Sequence, residues 1–353
     1  MAQAQKTRTI RMELLDLPDV SEQKWDDLIT ILLENSQEAN PGDPLVSRQT
    51  KKVELSSIRD WQDKVEFWLA YDTEETLVAL FGLAHPKPEH PDYETNKNIL
   101  WIDLYVRQPY RRQGIATQIL PTLIERATHY GATVIQNGTS IKHGWTYAEA
   151  LGAQKALNER VSRMVMAETD WAMLDRWIDD GKKRNPDVEI IRSERLPPEE
   201  DIEAFCDLVT QLDRTVPLED AEEENYTLTV EELRKSNQRT IDRGNMYVCL
   251  YAKDSDGALM GMTGMFHAAD IETISYVGLT GVLEKYQGRG LGKYLKALMS
   301  YDLRENFPKV EFVNTDNAES NAPMLSINER MGFKPHKSWI AYKITVEDLK
   351  KQL

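Results

Sequence analysis

Two cysteines in 353 residues are too few for a disulfide framework or a cysteine metal set. Cys206 lies in a helical pattern and Cys249 in a strand pattern, where each reads as a small buried apolar side chain. The 6 histidines show no metal-ligand spacing, so no metal is expected. A run of about 18 apolar residues is also missing, and with it any expectation of a membrane span. The opening Met-Ala-Gln-Ala-Gln-Lys-Thr-Arg lacks the apolar centre of a secretion signal, which makes the cytoplasm the expected compartment. Positive charge is in deficit: 43 basic against 58 acidic residues leave −15, which argues against nucleic acid as the main partner. Such acidity suits a cationic substrate such as an amine, although solubility alone accounts for it.

The hydrophobic content of 41% and charged content of 29% are those of ordinary globular protein, and the length suits two domains of roughly 150 residues. The most informative stretch is Val282-Leu-Glu-Lys-Tyr-Gln-Gly-Arg-Gly-Leu-Gly-Lys293. A strand-like run, Ile274 to Val282, feeds a polar loop with three glycines that opens an apolar-periodic helix, Leu291 to Leu303. Glycines let backbone N–H groups approach a ligand, and the first helical turn presents unpaired N–H groups at its positive dipole end. Together they predict an anion cradle suited to phosphate or pyrophosphate. The device occurs twice, since Val106-Arg-Gln-Pro-Tyr-Arg-Arg-Gln-Gly-Ile-Ala116 follows the strand-like Ile99 to Val106 in the same way. Gly114 and Gly290 stand 176 positions apart, half the chain, which marks an internal repeat.

Two other phosphate loops fail on the letters. A Walker A loop would need glycine where Gln287 stands and Ser or Thr where Tyr294 stands. A dinucleotide fingerprint needs G-x-G-x-x-G, whereas Gly288, Gly290 and Gly292 alternate and the first copy keeps only Gly114. Arg111-x-x-Gly114-x-Ala116 and Gln287-x-x-Gly290-x-Gly292 instead both satisfy Gln/Arg-x-x-Gly-x-Gly/Ala. Each half also closes on a related tripeptide, Leu151-Gly152-Ala153 and Met331-Gly332-Phe333, and the second carries the asparagine-rich run from Asn314 through Asn321 to Asn328. In these features the chain resembles the GNAT acetyltransferase superfamily, and within it the tandem proteins that include mycothiol synthase. The resemblance covers nearly the whole chain. It implies an α/β fold with a mixed sheet: two GNAT acyl-CoA N-acyltransferase domains in tandem, at residues 1–168 and 188–353, with a linker helix at 169–187 between them.

In order, the chain reads as a strand (Thr7 to Leu15), a helix (Glu22 to Leu33, with Trp25, Leu28, Ile29 and Leu32 on one stripe) and a second helical segment (Ser56 to Lys64). A hairpin follows, Glu66 to Tyr71 and Leu77 to Ala84, then the loop Pro86 to Asn98 and the first cradle with its helix to about Tyr130. Ala132 to Gln136 is strand-like, Tyr147 to Leu151 helical and Val161 to Ala167 a final strand. Thr169 to Gly181, with Trp171, Leu174, Trp177 and Ile178 at helical spacing, is the expected linker; it ends in a solvated Gly-Lys-Lys-Arg-Asn-Pro. The second copy starts near Val188 and repeats this order, with a hairpin at Met246 to Ala252 and Leu259 to His267 and a last strand at Trp339 to Ile344.

The resemblance implies attack of an amine on the acetyl-CoA thioester without an enzyme nucleophile. The chain must then orient two substrates, stabilise the thioester oxygen and accept a proton. On this basis acetyl-CoA is expected along Thr280, Gly281 and Val282 with Gln287, Gly288, Arg289, Gly290, Leu291, Gly292 and Lys293. The first copy offers Leu104, Tyr105 and Val106 with Arg111, Arg112, Gln113, Gly114, Ile115 and Ala116. The alternative for the glycines is an ordinary loop-to-helix turn, and for the charged side chains a solvated helix surface. Asn321 resembles the asparagine that meets CoA after the fifth strand.

Candidate bases are Asp103, three positions before Val106, and Glu272, ten before Val282 and on its face unless a bulge intervenes. Their counterparts are Leu279 and Asn96, so the cradles repeat while the carboxylates do not; each alone also reads as a solvated strand-edge acid. The tyrosine that many relatives place four positions before the terminal glycine is replaced by Asn328 and Ala148, with Tyr147 adjacent, and Tyr276 is a substitute acid. His85 and His267 end matching strands and read as structural or as groups beside the acceptor. The acidic run within Asp213 to Glu224 attracts a cationic amine or is a solvated loop.

The expectation is acetyl transfer to the amine of a small molecule in the C-terminal domain, by analogy with mycothiol synthase, with the N-terminal domain structural or CoA-binding. The rival is a non-catalytic acyl-CoA-binding or scaffold protein.

Overall fold

The structure, a computed structural model, describes residues 7–222 and 226–353. The first repeat runs β1 (Ile10–Leu15), α1 (Glu22–Ala39), α2 (Arg48–Ser56), β2 (Asp63–Asp72), β3 (Leu77–Pro86), α3 (Tyr93–Asn96), β4 (Ile99–Val106), α4 (Ile115–Tyr130), β5 (Val134–Thr139), α5 (Lys142–Ala150), β6 (Gln154–Val165) and α6 (Trp171–Arg184). The second runs β7 (Glu189–Glu194), α7 (Ile202–Asp213), α8 (Val230–Asp242), β8 (Met246–Lys253), β9 (Leu259–His267), β10 (Ile274–Val282), α9 (Leu291–Asn306), β11 (Phe312–Ala318), α10 (Ala322–Met331), β12 (Lys334–Thr345) and α11 (Val346–Lys350). No described helix is long and apolar enough to cross a membrane.

Local chemistry sets the element boundaries. Ser21 caps α1, accepting from the Lys24 amide, and the helix buries Trp25, Leu28 and Ile29 as its stripe predicts. The second helix is displaced from its expected place at Ser56 to Lys64. Ser47 caps α2 by accepting from the Thr50 amide, so the helix ends where it was expected to begin. Ile58–Asp60 is a single 3₁₀ turn, and β2 already pairs with β3 from Asp63. Both hairpins turn on the same device: one carboxylate oxygen of Asp72 accepts from the Glu74 and Thr76 amides, and one of Asp254 accepts from Asp256 and Ala258.

The chain divides into two compact units that do not follow the sequence halves. Unit 1 comprises residues 1–158, 220–224 and 339–353. Its sheet has the order β1-β2-β3-β4-β5-β12, antiparallel except for the β4–β5 pair. Unit 2 comprises residues 159–219 and 225–338, with the order β7-β8-β9-β10-β11-β6 and one parallel pair, β10–β11. The last strand of each repeat therefore completes the sheet of the other unit: β12 pairs with β5, and β6 from Glu159 onward pairs with β11. The helices after these strands follow them. Val346 and Leu349 of α11 join the core around α4, while α6 packs on α9 and buries Leu174. This departs from the expected boundaries at 168 and 188, and α6 is an integral helix of unit 2 where a linker was expected. In each unit one core lies between the sheet and its cradle helix, and a second lies under the first pair of helices on the other face.

Candidate functional site

In unit 2, β10 and β11 pair in parallel only from Ile274–Phe312 to Tyr276–Asn314 and then separate. Just beyond, β10 carries a bulge: Val277 opposes Met265 and Thr280 opposes Thr263, so Gly278 and Leu279 together face Gly264. A side chain at Gly264 would collide with the Tyr247 ring, which occupies that space. The splay leaves the β11-facing edge of Val277 to Val282 without strand pairing, so its backbone groups border an opening. Thr280 is held by a 2.7 Å hydroxyl bond to Thr263, and Gly281 approaches Leu212 of α7 so closely that a Cβ would lie 2.9 Å from its Cδ2.

The strand ends in the predicted cradle. Gln287 Nε2 donates to the Val282 carbonyl at 3.0 Å, which folds the loop back on its strand. Gly288 (φ 77°) and Gly290 (φ 76°) hold left-handed backbone, and Gly290 caps α9 without a side-chain oxygen. Leu291 is buried, whereas Gly292 and Lys293 are half-buried on the first turn. Among the described residues nothing lies within 4 Å of a Cβ built on Gly288, and only Arg184 comes within 4 Å of one on Gly290. The Arg289 carbonyl accepts from Asn185 Nδ2 at 3.3 Å.

The first cradle has the same backbone and different surroundings. Arg111 Nε donates to the Val106 carbonyl at 2.8 Å, while its two remaining nitrogens clasp Glu38 at 2.7 and 2.5 Å. Tyr105 is buried and donates to Glu38 at 3.1 Å, and Leu104 and Ala116 are half-buried. Arg112 (φ 60°) takes the conformation that Gly288 has in the second copy. Across Gly114 (φ 72°), however, lies the chain's own segment Thr7 to Ile10, with Thr7 Cγ2 3.1 Å from a Cβ built on the glycine. The Arg8 amide donates to the Gln113 carbonyl at 3.0 Å, Gln118 Nε2 donates to the Arg8 carbonyl at 2.7 Å, and the Ile10 amide donates to Gln118 Oε1 at 3.3 Å. Ile115 is buried beneath.

The splay of unit 1 is also filled. β4 pairs with β3 without a bulge from Ala79–Val106 to Ala84–Trp101, and the Trp339 ring packs onto Gly138 of β5 where any side chain would collide. Glu222 closes the same region, its amide donating to Gln136 Oε1 at 3.1 Å and its carboxylate meeting Lys343 at 2.7 Å. The space left among Trp101, Gln136, Gly138, Leu157 and Trp339 is about 90 Å³, below the roughly 300 Å³ at which small-molecule pockets begin. The rest of the acidic run splits: Asp213 ends α7 and accepts from the Tyr226 amide, whereas Glu223 and Glu224 lie outside the described residues.

The carboxylate candidates occupy different surroundings. Glu272 is not brought to the splay; it lies before β10 begins, exposed and paired with Lys309 at 2.8 Å. The bulge also reverses the alternation that would have put it on one face with Val282. Asp103 is exposed on β4, where Asn35 Nδ2 donates to it at 3.4 Å and partial desolvation raises its pKa. Tyr276 is 38% exposed on the sheet face covered by α7 and α8, opposite Phe266.

Asp316, two residues past Asn314 on β11, shares that face by alternation and stands where β10 has already parted from β11. It is exposed at the mouth of the opening, and partial desolvation there raises its pKa. Asp316 lies within the asparagine-rich run that begins at Asn314 and is not among the candidates expected from the sequence; its parity with Asn314 was the available signal.

Asn321 caps α10, accepting from the Met324 amide at 3.3 Å. Asn328 is buried, donates to Asn317 at 2.7 Å, and has a buried Oδ1 with no partner among the described residues. Both histidines are packing residues: His85 stacks on Tyr130 and bonds the Lys97 carbonyl, and His267 bonds Ser275 beside Phe307.

Comparison with known proteins agrees with the repeat. No curated protein has a matching sequence. The model of the acetyltransferase (GNAT) family matches twice, at residues 25–142 and 211–333. Among solved structures, a tandem GNAT protein from the clavulanic acid biosynthesis pathway superposes with TM-score 0.74 at 18% identity, covering 96% of this chain and 99% of its own. A GCN5-related N-acetyltransferase from Sphaerobacter thermophilus gives 0.61 at 16%, with 96% of each chain covered. N-myristoyltransferase from Saccharomyces cerevisiae gives 0.56 at 13%, covering 94% of this chain and 80% of its own. These likenesses are of fold, and the two family matches span well over half of the sequence: the chain belongs to the acetyltransferase (GNAT) family and carries its domain twice in tandem.

Proposed function

We propose that the protein is an acetyl-CoA-dependent N-acetyltransferase whose C-terminal unit performs the reaction on a small-molecule amine. The observation that carries this reading is the contrast between the two copies. The cradle at Gly288 and Gly290 is joined to a bulged, splayed strand, with only Arg184, among the described residues, within 4 Å of a Cβ at either glycine, while at Gly114, itself exposed, Thr7 stands against the glycine and the adjoining splay is filled by Trp339 and Glu222. The N-terminal unit then serves as a structural partner that retains the cradle's backbone without its access.

In unit 2 the first turn of α9 takes the pyrophosphate through its unpaired N–H groups. The pantetheine arm lies along the unpaired edge of β10, and backbone N–H groups at the bulge face the thioester oxygen. The amine nitrogen attacks the carbonyl carbon, the C–N bond forms, the C–S bond breaks, and the nitrogen gives up a proton. Asp316 is the base in this reading, because it stands in the opening and its raised pKa brings it nearer the proton it must hold. Tyr276 shares its face and is the nearest candidate to meet the leaving thiolate, since Asn328 replaces the usual tyrosine.

The experiment is a calorimetric titration with acetyl-CoA, paired with a thiol-release assay across an amine panel. One site per chain and turnover with at least one amine are expected. Two sites would return the N-terminal unit to consideration as a donor site; binding with no turnover at any pH would favour a non-catalytic acyl-CoA-binding scaffold; no binding would end the reading.

A further inference from the structure

We propose that Arg184, Lys293 and Arg330 form a subsite for a second phosphate group beside the open cradle, which matches the 3′-phosphate of coenzyme A. This rests on the acyl-CoA reading of unit 2 and adds to it a determinant of donor specificity.

The three cations come from three helices. Arg184 is the last residue of α6, Lys293 the third of α9, and Arg330 lies in the last turn of α10. The indole of Trp177 draws two of them together, with Lys293 Nζ and the Arg330 guanidinium each 5.5 Å from its ring centre. Arg184 reaches toward the cradle, its Nη1 3.9 Å from a Cβ built on Gly290.

Like charges so gathered repel: Lys293 is held below the ordinary lysine pKa by burial and then by the fields of Arg330 and Arg184, which outweigh the opposing field of Asp180. Among the described residues none of the three has a carboxylate within salt-bridge distance, in a chain with 58 acidic side chains where Arg8, Arg107, Arg111, Arg126, Arg160 and Arg192 are all paired. A protein of net charge −15 that leaves three neighbouring cations without a salt-bridged carboxylate, with Asp180 acting on Lys293 only from beyond that distance, has room there for a dianion. The helix end of α6 accounts for a cation at Arg184, because the dipole favours one. It does not account for Lys293, which sits on the first turn of α9, where the dipole disfavours positive charge. A pyrophosphate on the α9 amides places the ribose of coenzyme A beside that turn, and the ribose carries the additional phosphate.

The full-length protein is titrated with coenzyme A and with 3′-dephospho-coenzyme A, as wild type, Arg184→Ala, Arg330→Ala and the double variant. Both arginines are exposed, so the variants fold. The wild type should bind the dephospho compound about tenfold more weakly, the scale of one charge-assisted contact. The variants should lose affinity for coenzyme A alone and close that gap, and Arg330→Lys should restore part of it. Equal wild-type affinities for the two compounds, or variants that weaken both alike, overturn the subsite while leaving the cradle. Failure of both compounds to bind removes the acyl-CoA reading and the subsite with it.

Discussion

At Gly290 the backbone is left-handed and its surroundings are open, so Gly290→Asp is tolerated by the fold at a cost of about 1 kcal/mol while placing a carboxylate against the donor's pyrophosphate. Donor binding should fall below detection in calorimetry. Gly114→Asp, at a glycine that has Thr7 against it beside a filled splay, should leave donor affinity within about twofold of wild type; equal losses from both would sink the division of labour. Asp316 makes a prediction with two signs. Its folded-state pKa is raised, so the ionised form is penalised by the fold above that pKa, and the penalty fades as pH falls through it. Asp316→Asn should therefore hold or raise the melting temperature at neutral pH while lowering kcat by about a hundredfold or more and abolishing the acid limb of the kcat/KM profile. A variant that loses stability and keeps its pH profile would make Asp316 a structural residue.

The β10 bulge is the element that separates the two copies most sharply. Deleting Gly278 should restore the regular pairing that β4 already displays, so the variant is expected to fold with nearly wild-type circular dichroism. Thiol release should nonetheless fall by about a hundredfold, because the backbone donors at the opening are re-aimed. Retained turnover would show that the bulge has no part in the chemistry. Elements of this kind mark the limit of legibility. The cradles were readable because glycine, a preceding strand and a following apolar stripe all bear on one local geometry. The second helix was misplaced because its apolar content is thin and its boundary rests on the Ser47 cap. The bulge was unreadable: Gly278 and Leu279 look like any two strand residues until Gly264 and the Tyr247 ring are seen opposite them.

For the whole molecule, the exchange of final strands makes a prediction about where the chain can be cut. Residues 188–353 span the second repeat but lack β6 and α6, which complete the unit 2 sheet and cover α9. Expressed alone, this piece should be aggregated or protease-sensitive; residues 159–338 keep every strand of that sheet and should resist limited proteolysis. The opposite result would mean that β6 is dispensable.

The sequence by itself determined the repeat, the two cradles, the family and the class of donor, since each is written in short-range patterns of glycine, charge and apolar period. Only the tertiary structure decided which strand completes which sheet, because an antiparallel ladder is made of backbone bonds that either copy's last strand can supply. It also decided what surrounds each cradle. Thr7, Trp339 and Glu222 reach the first copy from more than 80 residues away, by contacts that no local pattern records.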